Sequence, residues 1–180
     1  MIRNKLTPIQ GLAAGCLLSA AAFASSAALG QSGTDVYAGD WPDYNGNMQA
    51  QRYSPLDQIT AENVGSLELA WRFSTAGFGP STDFNNPSTP LEIDGVLYAN
   101  VGSTRNVVAL DAASGQVLWM WRPQEGQRFN DAPRKGAGRG VAFWRSGDEQ
   151  RVIDITPGFF LVSLDAETGI PDPNFGDNGR

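Results

Sequence analysis

Residues 109–121 read ALDAASGQVLWMW, and residues 163–175 read SLDAETGIPDPNF. The pattern Leu-Asp-Ala-x-[Ser/Thr]-Gly therefore occurs twice, with Asp111 and Asp165 fifty-four residues apart. Each copy ends an apolar stretch. An Asp at a strand end can accept hydrogen bonds from N–H groups further round a turn, and Ser114 or Thr168 can bond from the other side. Gly115 and Gly169 supply the positive φ that a tight turn needs. Only the first copy continues into a strand with tryptophans, Trp119 and Trp121.

Short strands surround these turns. TPLEI and VLYANV flank Asp94-Gly95, a two-residue hairpin signal. NVVAL, the DAASG turn and QVLWMW complete a four-strand unit. RGVAFWR, RVIDIT and FFLVSL, with turns at SGDEQ, Pro157-Gly158 and DAETG, begin a second unit of the same kind. Upstream, Leu67, Leu69, Trp71 and Phe73 alternate as in a half-buried strand. QITAENVGSL is expected to hold one helical turn, with Thr60 as N-cap and Gly65 near its end. No stretch beyond residue 30 sustains a 3.6-residue apolar period. Four-stranded antiparallel units recurring at roughly 40–50 residues are β-propeller blades. The expected fold is all-β, with Trp119 packed between neighbouring blades.

Residues 1–30 have the order of a secretory signal: Arg3 and Lys5, then the apolar GLAAGCLLSAAAFA, then small residues at Ala22, Ala24, Ser26 and Ala28. A membrane anchor would need roughly 20 apolar residues, and a lipoprotein cleavage before Cys16 would halve the apolar run. Export to the periplasm is expected, with cleavage between Ala24 and Gly33. The expected organisation is 1–30 signal peptide, 31–66 N-terminal irregular segment, and 67–180 the first propeller blades.

Cys16 is the one cysteine and there is no histidine. The chain beyond residue 30 has no disulfide, no His-based metal site and no Ser-His or Cys-His nucleophile. The formal charge of −6 becomes −8 once Arg3 and Lys5 are removed. Such a chain is a poor partner for nucleic acid or an anionic membrane.

ALDAASGQVLW matches Ala-x-Asp-x-x-[Ser/Thr]-Gly-x-x-x-Trp at every defined position. It resembles the tryptophan-docking motif of quinoproteins, the dehydrogenases that use pyrroloquinoline quinone (PQQ). GDWPDYNGNMQAQRYSPLDQITAENV, RGVAFW and LDAETGIPDPNFGDNG resemble the glucose- and quinate-type members. The likeness runs from about Gly39 to Arg180. Pro171 and Pro173 resemble that family's irregular exit from an early blade.

The resemblance implies an eight-bladed β-propeller, of which about two blades are present, so the chain is expected to be an N-terminal fragment. It implies PQQ beside a calcium ion, with the calcium ligands and the catalytic Asp beyond residue 180. No catalytic or metal residue is therefore assigned. RGVAFW carries over one cofactor-binding residue, Arg139, whose guanidinium suits a tricarboxylate; a plain surface arginine beside Arg134 and Lys135 is the other reading.

Two places depart from patterns within the family, the first of them shared with glucose-type members. Pro133-Arg134 stands where alcohol-type members have adjacent cysteines, and Pro87 stands where many members have a cofactor-contacting Glu. The implied activity is oxidation of a sugar, cyclitol or alcohol, with electrons passed to a membrane quinone or a cytochrome. A non-catalytic periplasmic propeller scaffold of the outer-membrane assembly type is the alternative, and it would not need RYSPLDQIT or RGVAFW. The 180 residues alone are expected not to catalyse.

Overall fold

The computed structural model describes residues 39–81 and 85–180, which belong to one compact unit. The expected signal peptide lies outside the described residues.

Two antiparallel sheets form the unit. The first has the order β1-β2-β3-β4, from Leu91–Ile93, Val96–Val101, Asn106–Asp111 and Val117–Trp121. The second has the order β5-β6-β7, from Ala142–Ser146, Glu149–Ile155 and Leu161–Asp165. Within each sheet every strand pairs with the next in sequence, as in a propeller blade. Asp94 and Gly95 join β1 to β2 with φ of 54° and 80°, the two positive angles of a type I′ hairpin.

Strand β3 is buried on both faces: Val107, Val108 and Ala109 are all fully buried. One face packs with Leu91, Ile93 and Tyr98 against Val152, Leu164 and Ala166 of the second sheet. The other face, around Val101, Val108 and Leu110, is covered by Trp71, Phe73 and Phe78. A strand that hides both sides needs apolar residues in a continuous run, and NVVAL supplies it.

The second unit has three strands where four were expected. After Asp165 the chain makes a single bridge, Leu164 to Pro171, and turns away. Prolines 171 and 173 have no N–H to continue a ladder.

The expected strand at 67–73 does not form. The segment lies without a ladder partner among the described residues, leaving Leu67 and Leu69 exposed while Trp71 and Phe73 turn to the core. The turn near Thr60 does form. Thr60 Oγ1 accepts from the Glu62 N–H at 3.3 Å, and a 3-10 helix, Val64–Ser66, follows with Asn63 rather than Thr60 as N-cap. One short helix, α1 (Gln127–Asp131), was not legible in the sequence. It sits in the connection between the two sheets.

Candidate functional site

The repeated turns are built alike. Asp111 Oδ1 accepts from the Ser114 N–H at 2.7 Å and the Ser114 hydroxyl at 2.6 Å. Asp165 Oδ1 accepts from the Thr168 N–H at 2.9 Å and the Thr168 hydroxyl at 2.7 Å. Gly115 and Gly169 close the turns with φ of 71° and 70°. The Ser114 bonds hold the Asp111 carboxyl below its ordinary value.

Each turn receives a tryptophan. Trp119 Nε1 donates to Ala166 O at 2.9 Å, and the same carbonyl accepts from Tyr98 Oη at 3.2 Å. Burial pushes the Tyr98 hydroxyl up to about 12, so it stays a donor. Trp71 Nε1 donates to Ala112 O at 3.0 Å. Trp71 thus docks on the first turn as Trp119 docks on the second. These contacts hold the sheets in place and carry no chemistry.

Between the sheets, beside the second turn, lies a cleft of about 590 Å³ lined by Asp94, Tyr98, Trp119, Arg151, Asp165 and Glu167 among others. Its one Arg is committed: Arg151 ion-pairs with Glu149, Asp165 and Asp172 at 3.1–3.3 Å. Arg139 is not part of this cleft.

Arg139 lies just before β5, in the segment Gly136-Ala137-Gly138-Arg139-Gly140. The structure brings this segment to the first sheet. The Thr89 N–H donates to Arg139 O at 3.2 Å. A Cβ on Gly140, at φ 126°, would meet Thr89 O at 2.7 Å, so only glycine allows the approach. Thr89 is two residues from Pro87, so the two positions that the family resemblance links to the cofactor are neighbours here. Arg139 and Pro87 are both exposed. Pro87 offers no side-chain polar atom. Asn86 and Ser88 beside it are engaged locally: the Ser88 N–H donates to Asn86 Oδ1 at 3.0 Å, and Ser88 Oγ accepts from the Asn100 N–H at 3.3 Å. Lys135 turns back to Asn130 O at 2.8 Å.

Beneath the segment is a buried polar group that the sequence reading missed. Asn100 and Asp154 are 0% and 3% exposed, and Asn100 Nδ2 donates to Asp154 Oδ1 at 3.1 Å. Burial pushes the Asp154 carboxyl up to about 6 against the pull of Asn100 and Arg105. One signal was available: these residues are 54 apart, the repeat spacing, so they are equivalent positions of successive units facing each other. Glu125 was missed too. It accepts from the Thr156 hydroxyl and from the Gly158 N–H at 3.0 Å, while Arg128 Nε donates to Gly158 O at 3.0 Å. This clamps the connection around α1 onto the β6–β7 turn.

The arrangement offers an exposed guanidinium on a backbone fixed from behind. It can form paired hydrogen bonds to a carboxylate. Among the described residues no three Asp, Glu, His or Cys side chains converge on a metal position.

Residues 41–180 match the family described as PQQ: glucose/ethanol/alcohol dehydrogenase, beta-propeller domain, and the chain belongs to that family. It is 36% identical to the dehydrogenase subunit of the quinone-type alcohol dehydrogenase of Gluconobacter oxydans (strain 621H), over 94% of this chain and 23% of that protein. It is 32% identical to the quinoprotein glucose dehydrogenase of Escherichia coli (strain K12), over 78% of this chain and 19% of that protein. Among solved structures, the quinohemoprotein alcohol dehydrogenase from Comamonas testosteroni matches with a TM-score of 0.61 at 30% identity, over 81% of this chain and 20% of that one. The chain spans about a fifth of the length of the curated relatives it matches. The β-propeller fold expected from the repeated turns is that of the family.

Proposed function

We propose that this chain forms the first blades of a PQQ-dependent dehydrogenase that oxidises an alcohol, cyclitol or sugar, and that Arg139 binds a carboxylate of the cofactor. The observation that carries this reading is the Thr89–Arg139 backbone bond. It joins the two stretches the family uses at its cofactor and leaves the Arg139 side chain exposed. PQQ carries three carboxylates, and a guanidinium is the side chain suited to one of them. When bound, PQQ would supply the two-electron acceptor for oxidation of the substrate alcohol. The chain's part is to hold and orient the cofactor. Pro87 has no side-chain polar atom with which to make the contact of the Glu that many members have at this position. The calcium ligands and the catalytic base are assigned to other blades.

The same reading includes export to the periplasm, resting on the signal-like order of residues 1–30, and a membrane quinone or a cytochrome as electron acceptor. Sequencing the N-terminus of the periplasmic protein tests the first; a chain beginning at Met1 would refute it.

The test of the site is cofactor titration of the protein with its propeller complete. PQQ should bind stoichiometrically in the presence of calcium, and Arg139→Ala should weaken binding by roughly tenfold to a hundredfold, the effect of losing a charged hydrogen-bond pair. A protein that folds but takes up no PQQ would instead be the scaffold.

A further inference from the structure

We propose that Arg105 is a positioning residue for Arg139. The inference rests on the reading of Arg139 as a cofactor contact.

Arg105 stands in the turn between β2 and β3, where its backbone is held at φ 52°. Its guanidinium reaches two separate pieces of chain. Nε donates to Gly136 O at 3.2 Å, and Nη1 donates to Ile155 O at 2.9 Å. The first carbonyl lies three residues before Arg139, and the second ends β6. A second bond at Gly136 runs in the other direction: the Gly136 N–H donates to the carbonyl of Ser103, two residues before Arg105, at 2.9 Å. The turn 103–105 and Gly136 therefore clasp each other.

The rest of the segment is pressed onto the same surface. A Cβ on Gly138 would meet Asn100 Oδ1 at 2.9 Å and the Arg105 Cδ at 3.1 Å. Gly140 is held against Thr89 by the Arg139 carbonyl bond. Gly136, Gly138 and Gly140 let the backbone lie flat, while Arg105 and Thr89 fix its two ends. Glycine-rich backbone is otherwise free to move. An exposed arginine on a free backbone would lose much of its binding energy to ordering. The clasp removes that cost in advance, as a supporting layer does for a binding group.

The chemistry selects arginine at 105. Its planar fork presents donors in diverging directions and satisfies two carbonyls at once, whereas a lysine ammonium is a single point on a flexible stem.

The test uses the protein with a complete propeller and four variants: Arg105→Met, Arg105→Lys, Arg139→Ala and the double variant Arg105→Met/Arg139→Ala. Two quantities are read, PQQ affinity of the apoprotein by fluorescence titration and amide hydrogen exchange of residues 136–140 without cofactor. Arg105→Met should weaken PQQ binding about tenfold, the low end of the loss from removing a partner behind a ligand, and should speed exchange at 136–140. Arg105→Lys should recover part of both. The double variant should bind no more weakly than Arg139→Ala alone, because Arg105 acts through Arg139. Multiplying losses, or unchanged affinity and exchange in Arg105→Met, would overturn the proposal while leaving Arg139 as a contact. Unchanged affinity in Arg139→Ala would overturn both. Should Arg105→Met fail to fold, Arg105→Lys decides: exchange and affinity equal to the parent protein would overturn the clasp.

Discussion

The indole of Trp119 occupies the space that a side chain at Gly169 would fill: a Cβ there would come within 2.5 Å of the ring's Cε3. The ring and the glycine are a matched pair. Gly169 also holds a φ of 70°, so two separate requirements fall on one residue. Gly169→Ala should destabilise the protein by about 2–4 kcal/mol, from the strained backbone and the displaced ring together. Thermal unfolding checks this, and a melting temperature equal to that of the parent protein would break the pairing.

Trp71 and Gly115 form the same pair one unit earlier, with the Cβ contact again at 2.5 Å and the indole bond to Ala112 O at 3.0 Å. Equal contacts predict equal responses. Trp71→Phe and Trp119→Phe keep most of the ring packing and lose one hydrogen bond, so each should cost about 1 kcal/mol plus any loss from the smaller ring. Trp71→Ala and Trp119→Ala should each cost about 3 kcal/mol or more. Denaturant unfolding of the four variants is the measurement. An unaffected Trp71→Ala would mean the first turn is held by something else.

The two pairs were not equally legible. Asp111, Gly115 and Trp119 fall within eleven residues of one another, so the motif shows in the sequence alone. Trp71 docks on a turn that starts forty residues downstream of it. In sequence it looks like one member of an alternating strand, and Leu67 and Leu69 reinforce that pattern. The alternation was real only in part, because a strand also requires a neighbour to pair with. The candidate site divides in the same way. Arg139 is proposed from the resemblance of RGVAFW, which is a local stretch of sequence. Arg105, Asn100 and Asp154 meet only after both sheets fold, and polar residues inside apolar runs carry no local period. The helix α1 was illegible for a different reason: five residues are too few for an apolar stripe, and Glu125 and Arg128 hold the surrounding connection by bonds to a turn some thirty residues away.

Glu125 gives a prediction of its own. Its carboxylate caps the β6–β7 turn through the Thr156 hydroxyl and the Gly158 N–H. Glu125→Gln leaves one oxygen acceptor and replaces a charged bond with a neutral one, for about 1 kcal/mol. Glu125→Ala leaves the Gly158 N–H without its acceptor and should cost about 2–3 kcal/mol. Hydrogen exchange at Gly158 should rise in the same order. Exchange unchanged in Glu125→Ala would show that the clamp is not what protects this turn.

The last prediction concerns Asp154 and pH. Burial raises its carboxyl from 3.8 to about 6, with the charge of Glu125 adding to the rise and the Asn100 bond and the Arg105 charge opposing it. A raised folded-state value means that the folded chain holds the proton more tightly than the unfolded chain. The resulting stability is complete below about 3.8 and is lost as pH rises through about 6. Over that window the shift corresponds to roughly 3 kcal/mol. Other acids contribute their own slopes: Glu92 is also raised by burial, whereas Asp111 and Asp172 are lowered by hydrogen bonds and act in the opposite sense. The comparison with Asp154→Asn cancels those shared terms. The amide cannot titrate, and it places donors where Asp154 Oδ2 and Asn100 Oδ1 are both buried without a partner. Asp154→Asn should therefore gain on the parent protein as pH rises from 4 to 7, reaching about 2–3 kcal/mol at neutral pH. Urea unfolding of both proteins at pH 4, 5, 6 and 7 measures the gap. A gap that stays constant across the series would show that Asp154 is ionised throughout and that its charge is accommodated inside the fold.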